Sequence, residues 1–481
     1  MTNPQDRFQD LAPSIGESSI RTDPETVAAY AVDGMRPGAV VFPKDTQAVA
    51  HIVAYANRKG LAVVPTGSGT KIDRGNPPRR FDLVVCLSRM DHMIDVDTAN
   101  LTLTVEAGVK FRDIQARLAT EDDRCYLPLE DLETEAGEVV CSEREHRGSF
   151  LPIDAPWGDR ATVGGIIASN SSGPRRLLYN HPRDVIIGVR FVSPTGAIVG
   201  MGGKTVKNVS GYDISKLMVG SMGTLGILCE TTLRLLPLPE RMETLLAAFD
   251  RLSDAAAFSD GILAGRLLPA AVEVMNRRAA AGFGSNQWPG AGDAPYVVAV
   301  ALEAFDQAVA RMKRDAASLA DECGARDQTV LDEHRHGGFW LQAGNLTPAA
   351  ARKYPGLVAA KLTYEMSRWK EIAALAETTL SAAGIAHTYM AHSGIGIGKI
   401  NLLLAENGGQ TASTAIDALN TLLDGCRRAG GNLVVQRAPA RLKPKLNIWG
   451  AAGGDAAVTR RLKDHLDPNG IMCPGRFVGG L

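Results

Sequence analysis

Pro65-Thr66-Gly67-Ser68-Gly69-Thr70 follows directly on an apolar run at residues 61–64. A strand ending in such a loop exposes several backbone N–H groups, and small side chains let a pyrophosphate approach them. The loop is neither G-x-G-x-x-G nor a Walker A motif, since no Lys-Ser/Thr ends it. Alone it reads equally well as a plain turn. A second loop of similar character reads Thr162-Val163-Gly164-Gly165-Ile166-Ile167-Ala168-Ser169-Asn170-Ser171-Ser172-Gly173, beside Asp159-Arg160. It too has a plain reading, as a tightly packed helix start. Two such loops in one domain favour an extended dinucleotide over a single phosphate. A third segment reads Lys207-Asn208-Val209-Ser210-Gly211-Tyr212-Asp213, and Gly220-Ser221-Met222-Gly223-Thr224-Leu225-Gly226-Ile227 comes soon after it.

Around these loops the pattern is α+β. Asp45 or Thr46 is placed to cap a helix whose apolar face is Val49, Ile52, Val53 and Ala56, and Gly60 ends it. Strands are expected at 40–42, 61–64, 83–87, 93–96 and 101–105, with a helix at 111–118. A hairpin is expected at 185–199 around Ser193-Pro194-Thr195-Gly196. A strand at 227–236 follows, and Pro237 and Pro239 mark a boundary. Residues 240–425 alternate Ala-rich helices with strands such as 296–302 and 400–404, a second α+β domain. No internal repeat is visible. Residues 121–146 carry ten acids and read as an exposed insertion. Cys125, Cys141 and His146 lie within it, at a spacing that matches no common metal-ligand pattern.

Composition narrows the function. The chain has 481 residues, 52 Lys plus Arg against 53 Asp plus Glu, and a net charge of −1. That excludes a global basic field for nucleic acid. Seven cysteines are scattered without a C-x-x-C pair, so neither a disulfide framework nor an Fe–S site of this chain is expected. Residues 1–20 are polar, and no apolar run is long enough to span a bilayer. A reducing cytoplasm is the compartment expected, with peripheral association with the inner membrane through partners left open.

The three glycine-rich segments resemble the flavin domain of the vanillyl-alcohol-oxidase (PCMH-type) FAD enzymes. In particular they are similar to the FAD-linked 2-hydroxy-acid dehydrogenases, which read K-N-V-T-G-Y-D and G-S-E-G-T-L-G-I at these places. The likeness resumes at Asp467-Pro468-Asn469-Gly470-Ile471-Met472-Cys473-Pro474-Gly475-Arg476-Phe477. The resemblance implies an α+β protein: a PCMH-type FAD-binding domain of two α+β subdomains plus a ferredoxin-like α+β cap. The implied division is an N-terminal segment at 1–36 and a flavin domain at 37–238 with an insertion at 121–150. A cap or substrate domain at 239–425 and a segment at 426–481 returning to the flavin domain complete it. It implies FAD, with the pyrophosphate on Pro65, Thr66, Gly67, Ser68, Gly69 and Thr70 and on Thr162, Gly164, Gly165, Ser169, Ser172 and Gly173. Gly211 and Tyr212 belong to the same site, and Gly223, Thr224, Gly226 and Ile227 reach toward the adenine or ribose. Thr70 stands where relatives with covalent flavin often carry His, so non-covalent FAD is expected.

Catalytic members commonly carry H-x-G-D-G-N-L-H and later E-H-G, whose His and acid hold a divalent metal. This chain reads His392-Ser393-Gly394-Ile395-Gly396-Ile397-Gly398-Lys399, with Gln436-Arg437-Ala438 in the later place. One remaining His cannot hold a metal by that scheme, so no metal is expected. Hydride transfer to flavin still needs only a cation for the carboxylate and a base for the hydroxyl proton. Lys399 or Arg437 could supply the first and His392 the second, though a structural His serves equally as a reading of His392. Arg437-Ala438-Pro439, Trp449-Gly450, Pro174-Arg175-Arg176 and the last eight residues look like the smaller FAD-binding subunit of bacterial glycolate oxidase. That likeness implies a small 2-hydroxy acid substrate, a sister FAD subunit and an Fe–S electron-transfer subunit. The chain is longer than that subunit, mainly through the acidic insertion, which could contact a partner. Three readings stand: a subunit of a glycolate or D-lactate dehydrogenase complex, a self-sufficient FAD dehydrogenase, and a flavin-binding scaffold without turnover.

Overall fold

Asp45 caps the helix Thr46–Lys59 by accepting the Ala48 N–H at 2.7 Å, and Gly60 ends it in the left-handed region at φ 64°. Its apolar stripe, Val49, Ile52 and Val53, is fully buried in a core shared by two sheets. The first sheet has the order Ile20–Arg21, Ala39–Val41, Leu83–Cys86, Val63–Thr66, and its last three strands run parallel. The second is antiparallel, in the order Met93–Asp97, Thr102–Glu106, Ile227–Arg234, Ile186–Val192, Ile198–Gly202. This computed structural model describes residues 6–122, 148–204, 213–283, 293–405, 409–451 and 453–481. Gly211, Tyr212 and nearly all of the acidic insertion, with Cys125, Cys141 and His146, lie outside them.

The rest of the chain builds one eight-stranded antiparallel sheet. Its order is Asp327–Leu331, Arg241–Phe249, Tyr296–Ala304, Ala271–Asn276, His387–His392, Ile397–Leu402, Val358–Thr363, Asn432–Arg437. Each half is a β-α-β-β-α-β unit whose strands lie in the ferredoxin-like order 4-1-3-2. The helices are Leu252–Ala264 and Asp306–Glu322 in the first half, Trp369–Ala382 and Gly409–Arg428 in the second. The halves meet through their second strands, where Glu273, Val274 and Met275 pair with His392, Ala391 and Met390. The cap is therefore a structural duplication that the sequence does not display. Its last strand ends at Arg437, beyond the boundary at 425 expected from the sequence, because Asn432–Arg437 hydrogen-bonds to Val358–Thr363.

Strand alternation sorts the cap's two faces. Leu245, Val274, Val300, Leu362, Ala391 and Ile400 pack under the four helices. The opposite face carries Met275, Ala299 and Met390 against Phe339 and Trp340 of Glu333–Gly344. That face also carries Glu273, His392, Lys361 and Lys399, and part of it turns to the flavin domain. The chain then returns to the first sheet: the Val63 N–H donates to Ile471 O at 2.8 Å and the Cys473 N–H to Val63 O at 2.9 Å.

Candidate active site

A cleft opens between the two sheets of the flavin domain. Pro65, Thr66, Gly67, Ser68, Gly69 and Thr70 form one wall, Thr162, Gly164, Gly165 and Ser169 another, and Gly223, Gly226 and Ile227 a third. The strand Val63–Thr66 ends at the first wall, and the backbone N–H groups of residues 67–71 donate to no described residue. A run of free amides on a concave surface is an anion cradle. A Cβ on Gly69, at φ 73°, would meet no protein atom within 4 Å. The second wall differs in kind. The Gly164 N–H donates to Ala107 O and the Gly165 N–H to the capping Thr162 hydroxyl, so this loop shapes the cleft rather than offering donors.

Three residues expected at the cofactor do not line this cleft. The Gly173 N–H donates to Asp154 Oδ1 at 2.7 Å, and Ser172 accepts from Arg176 at 3.2 Å. The Thr224 hydroxyl donates to Ser221 O at 2.6 Å and faces a separate cavity beside Phe477.

A second, partly open cavity adjoins the cleft through Thr70 and Lys71. Lys71, Arg74 and Asp73 reach it from the flavin domain, Lys399, Gln436 and Arg437 from the cap. The structure thus brings Lys399 and Arg437 together, but Arg437 is occupied, donating to Asp73 at 2.6 Å. His392 lies on the neighbouring strand, buried, with Nδ1 hydrogen-bonded to Glu273 Oε1 across the seam between the cap's halves. Glu273 Oε2 has no hydrogen-bond partner among the described residues.

Electrostatics ties the groups together. Burial, reinforced by Lys399, Arg176 and Lys361, holds His392 well below the usual imidazole range. Burial pushes Glu273 well above the carboxylate range, and Lys399 opposes it. Burial and Arg74 lower Lys71 to about 7. Burial, Arg176, Lys399 and Arg74 lower Lys361 to about 8. Glu273, Lys361, Lys71 and Arg74 were not singled out from the sequence. A signal existed for two of them: each is the lone charge in an apolar strand, Ala271–Asn276 and Val358–Thr363.

Residues 37–129 and 133–202 match the FAD binding domain family, and residues 238–477 match the C-terminal domain of FAD linked oxidases. These matches span most of the chain. It belongs to the FAD-linked oxidases.

FAD is accordingly the cofactor of this FAD-linked oxidase, and the cleft with its free amides fits it. Over 241 residues, half of this chain and 46% of the relative, the oxidase is 34% identical to glycolate oxidase subunit GlcD of Bacillus subtilis. Over 495 residues, 99% of this chain and 97% of the relative, it is 28% identical to D-2-hydroxyglutarate dehydrogenase of Xanthomonas citri pv. viticola. Its fold matches p-cresol methylhydroxylase with substrate bound at a TM-score of 0.70 and 16% identity, covering 98% of this chain and 96% of that one. Among the described residues no group of three or more His, Cys, Asp or Glu stands close enough to hold a metal, and no helix is long and apolar enough to cross a membrane.

Proposed function

We propose that this FAD-linked oxidase oxidises a 2-hydroxy acid in the cavity beside the flavin cleft. The observation that carries the reading is the junction of cleft and cavity at Thr70 and Lys71, with an imidazole–carboxyl pair buried behind the cavity-lining Lys399. FAD, when bound non-covalently along residues 65–70, supplies the hydride acceptor. Lys399 holds the substrate carboxylate. His392 takes the hydroxyl proton at Nε2, since Glu273 engages Nδ1 and fixes the ring. The role needs Glu273 as the carboxylate, which burial opposes and Lys399 favours. Arg437 positions the loop that carries Lys71 and Arg74 through its bond to Asp73.

Likeness to a protein named as a glycolate oxidase subunit supports onward electron transfer to a partner, here a sister FAD subunit and an Fe–S subunit. The full-length alignment with a dehydrogenase supports the narrower statement that oxidation itself needs only this chain. Anaerobic addition of glycolate and of each lactate and 2-hydroxyglutarate enantiomer to the purified flavoprotein tests the reading. Bleaching of the flavin band, lost in His392→Gln, is expected. A band that no 2-hydroxy acid bleaches would overturn it.

A further inference from the structure

We propose that the cavity takes a 2-hydroxy acid with a second anionic group, a dicarboxylate rather than a monocarboxylate. The proposal rests on the oxidative reading above and narrows its substrate. Lys71, Arg74 and Lys399 line the cavity. Lys361 lies directly opposite Lys399 in the strand register, on the same face. Arg176 is the fifth cation, close enough to perturb Lys361, Lys399 and His392.

None of these five makes an ion pair with a described residue. Those that are hydrogen-bonded have neutral partners: Lys71 donates to Pro156 O at 3.3 Å, Arg74 to the Ser171 hydroxyl at 3.1 Å, and Arg176 to the Ser172 hydroxyl at 3.2 Å. The carboxylates nearby have other partners, although Glu273 and Asp154 still offset part of the Lys399 charge. Asp73 is held by Arg437 and Asp159 by Arg160, the latter at 3.3 Å. Asp154 accepts the backbone N–H groups of Gly173 and Arg175, and Glu273 is bonded to His392. Like charges placed opposite each other on a sheet are destabilising. Half-burying them raises that cost unless an anion completes the arrangement.

The flavin pyrophosphate does not complete it, because only Lys71 of the five also faces the flavin cleft. A monocarboxylate brings one charge. A dicarboxylate places one carboxylate on the Lys361–Lys399 pair beside His392. It places the other on Arg74, whose planar guanidinium suits two parallel hydrogen bonds.

The test compares anaerobic flavin reduction by the enantiomers of lactate, malate and 2-hydroxyglutarate, in the wild type and in Arg74→Gln. Preference for a dicarboxylate is expected, with its kcat/KM falling about 10–100-fold in Arg74→Gln and that for lactate changing less than about threefold. Lactate reducing the flavin as efficiently as the dicarboxylates, or Arg74→Gln lowering both alike, would overturn the dicarboxylate assignment and leave the oxidative reading intact. If no hydroxy acid reduces the flavin, the oxidative reading fails, and spectral titration with glutarate and with propionate decides the rest. A flavin shift with glutarate alone, weakened in Arg74→Gln, sustains the two-anion cavity. Equal responses, or none, overturn it.

Discussion

At the scale of single residues, chemistry turns on an imidazole that a carboxyl group holds and cations surround. His392 must be unprotonated to accept a proton. Burial and three cations favour that neutral form, while burial works against the Glu273 carboxylate it relies on, so the acid limb of kcat/KM reports the His392–Glu273 pair. Lys399→Met removes one of those cations and is expected to move the limb to higher pH, since a lost positive neighbour eases protonation of both His392 and Glu273. A limb that stays put or moves lower would show that His392 is not the titrating base. His392→Gln is expected to slow flavin reduction by about 10²–10⁴-fold, the range for a lost general base, as read by stopped-flow absorbance. The sequence drew attention to His392 through a partial motif but gave no hint of its partner. Glu273 is 119 residues away, and only strand pairing brings the two together.

At the scale of loops and strands, most residues that line the cleft were legible because backbone geometry demands particular residues there. Gly223 sits at φ 74°, and a Cβ would lie 2.5 Å from Pro65 Cγ. Gly223→Ala should therefore cost about 1–3 kcal/mol of strain in the fold and, by pushing Pro65 of the first wall out of place, lower FAD occupancy. The ratio of flavin to protein absorbance after dialysis measures this, and an unchanged ratio would remove the third wall from the site. Ser172, Gly173 and Thr224 do not line the cleft, since composition cannot tell a loop that faces a cavity from one that folds back on its own chain. The lysine pair was illegible for another reason: Lys361 and Lys399 are 38 residues apart and look like ordinary strand lysines until the register puts them opposite. Lys361→Met relieves that repulsion. The substrate-free protein is expected to gain about 0.2–1 kcal/mol, or about 1–3 °C in melting temperature, while losing affinity for anionic substrate. A lower melting temperature would mean that the pair is already compensated in the free protein.

At the scale of the whole molecule, the cap is one sheet made of two ferredoxin-like halves, and a buried polar network ties it to the flavin domain. Repetition of fold without repetition of residues left no periodic signal in the chain. What recurs is the burial pattern under each pair of helices, which many apolar residues satisfy. In the network, Glu303 of the cap lies 3.6 Å from Arg175 and 3.2 Å from His336, and it accepts from the Tyr179 hydroxyl at 2.6 Å. Arg175 also faces Asp154 at 3.6 Å, within its own domain. Burial works to raise Glu303, but Arg175, His336 and Tyr179 outweigh it and hold the carboxyl below its ordinary value of 4.5. A carboxyl depressed in the folded state contributes stability above its unfolded value, and that contribution fades as pH falls through 4.5 toward the folded value. Glu303→Gln keeps the shape but leaves the Arg175 charge under-compensated in the interior, a loss of about 3–5 kcal/mol. The variant is expected to melt several degrees lower at pH 7 and to lose less than the wild type between pH 6 and pH 4, so the two curves converge in acid. Calorimetry across that range measures both effects. Parallel curves would show that Glu303 does not carry the acid sensitivity, and equal melting at pH 7 would show that Glu303 does not help to hold the domains together.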